Sequence, residues 1–171
     1  MNLTEQQAVF AIAATVTASL VYFFILEKME LKARKNKNAG LTSLFIWRKA
    51  SGLFLLGIIP GIAAWIFLGF DPSSAGFSRG GTGTLWVWIA GISFLLILLN
   101  LFNSRKPDII AMYPELRKQE WGPATILLAA GGWVVYLAGY EYLFRGLLLF
   151  SCYEAFGLWP AIAINLGLYS A

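Results

Sequence analysis

The sequence predicts an all-α fold: a polytopic bundle of transmembrane helices, with at least four full spans and the start of further core helices. Two observations carry this. First, 58% of the side chains are hydrophobic and only 13% are charged, against about 25% charged in a typical soluble domain. Second, the apolar residues are clustered. Ala8–Leu26, Ala50–Phe70, Leu85–Phe102 and Gly122–Tyr140 each lack a charged side chain over about the length that a helix needs to cross a bilayer. After Gly146 the chain is again apolar apart from Glu154.

The first run reads as a retained span rather than a cleaved signal peptide. Met1–Gln7 is acidic, and lysines follow the run where a small-residue cleavage site would stand. The intervening segments set the orientation. Residues 27–49 hold seven of the thirteen basic residues, and residues 103–120 hold four. Residues 71–84 hold only Arg79. Lysine and arginine accumulate on the cytoplasmic side. Loops one and three are therefore expected inside, with loop two and the N-terminus outside.

The basic run Lys32–Asn38 reads first as this topology signal and second as a docking site for anionic headgroups. The bilayer is thus the expected partner, and no nucleic acid is expected. Trp47, Trp86, Trp88, Trp121 and Trp159 fall near predicted span ends, as in an interfacial aromatic belt.

Local signals place the breaks. Pro60 beside Gly61 predicts a kink inside the second span. Trp121–Gly122–Pro123 reads as a helix start, since proline is tolerated in the first turn. Gly157 and Pro160 mark a break and a restart. From Trp159 the remaining chain spans only about 20 Å as a helix, short of a hydrocarbon core of about 30 Å. This predicts either a re-entrant half-helix or a truncated sequence, of which truncation is the favoured expectation. Cys152, the single cysteine, reads as a small buried side chain.

Chemistry concentrates in Tyr140–Glu141–Tyr142–Leu143–Phe144–Arg145–Gly146. A glutamate and an arginine within or near a bilayer are expensive and by default suggest function. Four residues apart, Glu141 and Arg145 share one helix face and can pair. The pair is either a structural salt bridge or a general-base glutamate held by an arginine. Glu154 reads as a helix-end residue near water. Asn165, four residues before Tyr169, reads as an interhelical hydrogen-bonding group.

Glu-x-x-x-Arg-Gly, with Phe144 before Arg145 and a leucine-rich run after it, resembles the first motif of the CPBP intramembrane metalloproteases. That family includes the CAAX prenyl endopeptidases and bacteriocin-processing or immunity proteins. Its first motif is Glu-Glu-x-x-x-Arg, and its second, Phe-x-x-x-His, lies on the next core helix. Arg145 matches the motif arginine and Glu141 the second glutamate, while Tyr140 stands in place of the first. Leu158–Asn165 resembles the entry to the next core helix. Tyr169–Ser170–Ala171 stands where Phe-x-x-x-His begins, with Tyr for Phe.

The resemblance covers 121–171, a partial core of this kind, and leaves 1–103 as accessory spans of one membrane domain, 1–171. It implies a membrane-embedded metallo-endopeptidase, Glu141 and Arg145 as its catalytic residues, and a peptide or prenylated protein as substrate. It also implies zinc or another divalent metal in a complete protein, held in part by histidines beyond Ala171. The chain has no histidine. Glu141, Cys152 and Glu154 do not make a catalytic zinc set, which usually has three ligands, mostly histidine. No metal is therefore expected for these 171 residues, which are expected to be inactive by themselves. The expected location is a bacterial plasma membrane. Two other readings stay open: a non-catalytic interaction or immunity-type relative, which Tyr140 favours, and a transporter fragment using the Glu–Arg pair as a charge site.

Overall fold

The computed structural model describes residues 2–35, 40–70, 83–104, 106–108, 116 and 121–170. Among these, every element is helical, and four helices are long and apolar enough to cross a membrane. The chain is an all-α, integral membrane type of fold. It divides into two compact units, Met1–Phe77 with Glu120–Ala171, and Ser78–Gln119.

In the first unit, helix α1 spans Leu3–Lys35. Asn2 and Glu5 start it by reciprocal capping. The Asn2 side-chain oxygen accepts the Glu5 N–H (2.9 Å), and the Glu5 carboxylate accepts the Asn2 N–H (3.1 Å). Helix α2, Leu41–Gly52, runs on through a π-helical segment, Leu53–Ile58, into α3, Ile59–Leu68. Where the sequence predicts a kink at Pro60, the structure has this π-helical segment just before the proline. Proline has no N–H to give the carbonyl four residues back, and its ring crowds that carbonyl. The wider turn just before it absorbs the mismatch. Gly69, at φ 59°, then ends α3 in a left-handed conformation that favours glycine.

The second unit contains α4, Gly83–Asn103, whose 21 residues rise about 31 Å, close to the hydrocarbon thickness. The first unit resumes with α5, Pro123–Glu141, capped by Gly122 with Pro123 in the first turn, as expected. It continues through a π-helical segment, Tyr142–Leu149, into α6, Phe150–Phe156. Gly157 (φ 82°) makes the predicted break, and α7, Leu158–Tyr169, follows.

The structure corrects two boundaries. The first loop is not 27–49, because α1 continues to Lys35 and α2 begins at Leu41. Lysine and arginine are good helix formers and extend both helices past the bilayer edge. The fourth helix does not stop at Tyr140. It runs through the Glu–Arg motif to Phe156, because nothing between Glu141 and Phe156 breaks a helix. The segments 71–82, 105, 109–115 and 117–120, on which most of the second and third predicted loops fall, lie outside the described residues.

Packing in the first unit is close because small residues line it. The second rod (α2, its π segment and α3) lies parallel to the fourth (α5, its π segment and α6). Residues 45, 52, 57 and 61 meet 132, 136, 139 and 142 in order. Phe45 covers Gly132, the Tyr136 ring covers Gly52, and the Tyr142 ring covers Gly61. Between them, Gly57 and Gly139 bring the two backbones together. A Cβ on Gly57 would sit 2.8 Å from the Gly139 Cα. The π segment keeps Gly52 and Gly57 in line, since its wider turn brings residues five apart onto one face. Helix α1 runs the other way, with Tyr22 against Tyr136, and packs on α6 and the second rod. Its buried Ala8, Ala11 and Thr15 form the small-residue face that permits close approach.

The outer surface is apolar. Phe24, Phe54, Ile62, Phe67, Leu127 and Val134 are all exposed on the helices of the first unit. Water would not tolerate so continuous a patch, whereas lipid tails match it.

Candidate functional site

Glu141 and Arg145 form the ion pair that their spacing predicts. The Arg145 Nε lies 2.5 Å from the Glu141 Oε2. Glu141 is the last residue of α5, and Arg145 lies within the π segment. A π turn still brings residues four apart to neighbouring positions, so the pair survives the change of pitch. Neither side chain is enclosed. Arg145 is 66% exposed and Glu141 38%.

Their depth follows from helix register. Tyr22 is level with Tyr136. Five residues further along α5 is Glu141, and five back along the antiparallel α1 is Thr17, the midpoint of the apolar run Ala8–Leu26. The second rod agrees, because Gly57 is level with Gly139 and Gly61 with Tyr142. Glu141 is thus level with Pro60, the middle of Ala50–Phe70. The ion pair lies at the midplane of the apolar belt, not at the end of a span. An isolated charge there costs several kcal/mol, and pairing offsets part of it.

The residues that precede Glu141 and Arg145 in sequence, Tyr140 and Phe144, belong to an aromatic cluster. The Tyr140 ring stacks on Tyr136 (5.7 Å between centroids) and lies 4.7 Å from Phe144. Tyr169 of α7 meets both Tyr140 (5.3 Å) and Phe144 (5.4 Å) edge-on. Tyr140 and Tyr169, widely separated in sequence, therefore meet beside the Glu–Arg pair. Asn165 donates its side-chain N–H to the Phe144 carbonyl at 2.6 Å. This is the interhelical hydrogen bond that its position suggests, and it ties α7 to the π segment. Cys152 is fully buried, and Glu154 is exposed in the last turn of α6.

The described residues around the pair do not fit a divalent metal. Among the described residues, no three His, Cys, Asp or Glu side chains come together. Glu141 is engaged by Arg145, Cys152 is buried in the core, and Glu154 lies a helical segment away. The carboxylate can accept, and the guanidinium donate, hydrogen bonds to water or a polar backbone in an apolar environment.

Lys49 is the residue that the sequence pattern misplaces. Its basic neighbours put it in a loop, but it is 6% exposed within the bundle. Its ammonium lies 3.4 Å from the Trp133 ring centroid, with Tyr136 at 5.0 Å and Phe45 at 5.3 Å. A cation over aromatic faces keeps favourable electrostatics without water, which lets the lysine enter the helix interface. The only sequence signal is the apolar Phe45, Ile46 and Trp47 just before it. Beside it, Arg48 pairs with Glu30 of α1 at 3.4 Å. No family model, curated protein or solved structure matches the chain.

Proposed function

We propose that this chain carries the glutamate–arginine part of an intramembrane endopeptidase site of the CPBP type. The observation that carries the reading is the Glu141–Arg145 ion pair at the midplane of an apolar belt. Structural stability alone does not favour charges at that depth. In this reading, the Glu141 carboxylate takes a proton from the water that attacks the scissile carbonyl, then passes it to the leaving amine. Arg145 fixes the position of the carboxylate. The substrate is a membrane-associated peptide or a prenylated C-terminus. The motif order supports the reading, as does the meeting of Tyr140 with Tyr169, the positions that resemble the first and second family motifs. The family's metal enters no step here, because its histidine ligands are not among these residues.

The same reading sets the protein in a bacterial plasma membrane, with its N-terminus outside and the junction between α1 and α2 on the cytoplasmic side. The test is the reading frame beyond the last codon. A histidine four positions after Tyr169, and cleavage of a prenylated peptide by the protein so encoded, are the expected results. A frame that continues that helix with no histidine overturns the enzyme.

One observation favours a second reading, a non-catalytic relative that keeps the fold. Tyr140 stands where the family has its first glutamate, and it is packed by Tyr136, Phe144 and Tyr169 as a structural side chain. That reading predicts that Glu141→Gln leaves the biological activity intact.

A further inference from the structure

A second feature, independent of the Glu–Arg site, lies where α1 and α2 emerge from the apolar belt. A cleft of about 270 Å³ opens there, lined by Met29, Lys32, Gly40, Ser43, Leu44 and Trp47. Lys32 is six residues beyond Leu26, the end of the apolar run, or about 9 Å further along α1. That is the depth of the headgroup layer. Its walls are of two kinds. Met29, Leu44 and the 65% exposed Trp47 are apolar, whereas Lys32 and Ser43 are polar.

The charge of the cleft is unbalanced. Of the two acids on this stretch of α1, Glu27 and Glu30, neither lines the cleft; Glu30 is engaged by Arg48, and among the described residues Lys32 is in no ion pair. A ligand with a phosphate at one end and hydrocarbon at the other matches this arrangement. A zwitterionic lipid would bring its own ammonium against Lys32, whereas an anionic lipid would not.

We propose that this cleft binds one anionic phospholipid. Its phosphate sits at Lys32 and Ser43, and its glycerol and first acyl carbons lie against Met29, Leu44 and Trp47. Lys28 supplies the internal comparison. It is one turn earlier on the same helix and equally basic, but its ammonium lies over the Phe24 ring at 5.1 Å, outside the cleft. Both lysines are exposed, so replacing either leaves the packing in place.

The experiment is native mass spectrometry of the purified chain in detergent, titrated with phosphatidylglycerol or phosphatidylcholine. One phosphatidylglycerol is expected to bind more tightly than phosphatidylcholine. Lys32→Gln is expected to weaken it about fivefold, the equivalent of one basic residue at a membrane surface, and Lys28→Gln to leave it unchanged. Equal weakening by the two substitutions would mean diffuse surface charge and overturn the site. So would equal binding of the two lipids, or displacement of phosphatidylglycerol by an equal concentration of glycerol 3-phosphate.

Discussion

Gly139→Ala should destabilise the bundle although it adds a single methyl group. A Cβ at this position would lie 2.8 Å from the Leu53 Cα, 3.0 Å from the Gly52 carbonyl oxygen and 3.2 Å from that of Leu53. Carbon atoms pack best at about 3.5–4.0 Å, so the two rods must separate by roughly 0.7–1.2 Å. All three neighbours are backbone, and none can turn aside as a side chain would. Overpacking of this kind costs about 1–3 kcal/mol. The gain in helix propensity from glycine to alanine, at most about 1 kcal/mol, offsets only part of it. Thermal unfolding of the purified protein in detergent, followed by tryptophan fluorescence, should show a midpoint several degrees lower, at about 2–4 °C per kcal/mol. Gly131→Ala, on the same helix with nothing within 4 Å, should leave the midpoint unchanged or raise it. If the two substitutions behave alike, the close contact of the second and fourth rods is wrong, and with it the register that sets the depth of Glu141.

Three further outcomes follow from the same packing. A double-mutant cycle of Lys49→Met and Trp133→Leu should show a coupling of about 0.5–2 kcal/mol in unfolding free energy, the range for a cation over an aromatic face; additive effects would contradict the cage. Asn165→Leu should lower stability by about 1 kcal/mol, typical of an interhelical hydrogen bond in a membrane, and hydrogen exchange should rise first in α7. Glu30→Gln should change stability by less than about 1 kcal/mol, since its pair with Arg48 is partly exposed. A larger loss by the same thermal measurement would mean that this pair holds α1 to α2.

Much of the fold was legible because the bilayer imposes a length on each apolar run. Gly122–Pro123 and Gly157 were readable for a related reason, since both residue types restrict or free the backbone wherever they stand. The Glu141–Arg145 pair was legible from helical spacing alone. The depth of that pair was not. It depends on how far the fourth rod slides against its neighbours, which Gly57, Gly139, Tyr22 and Tyr136 decide together, and no local pattern contains that. The π segments were hidden for the same reason, and Pro60 predicts only a kink. Lys49 was hidden because a lysine among basic residues resembles a loop, and only its partner Trp133, far away in sequence, makes burial tolerable. The meeting of Tyr140 with Tyr169 likewise needed the turn at Gly157 to be built before it could be seen.

The proposed chemistry stands or falls on the Glu141 carboxylate. The direct measurement compares cleavage of a prenylated peptide by the protein of the full reading frame, reconstituted in vesicles, with that of its Glu141→Gln form. The amide introduced by that substitution preserves the shape and a hydrogen bond to Arg145 but cannot accept the proton. A general base typically contributes about 10²–10⁴-fold to rate, so turnover should fall by at least about a hundredfold while the folded bundle persists. Unchanged turnover in the Glu141→Gln protein would contradict the assignment and leave the midplane ion pair as a structural feature.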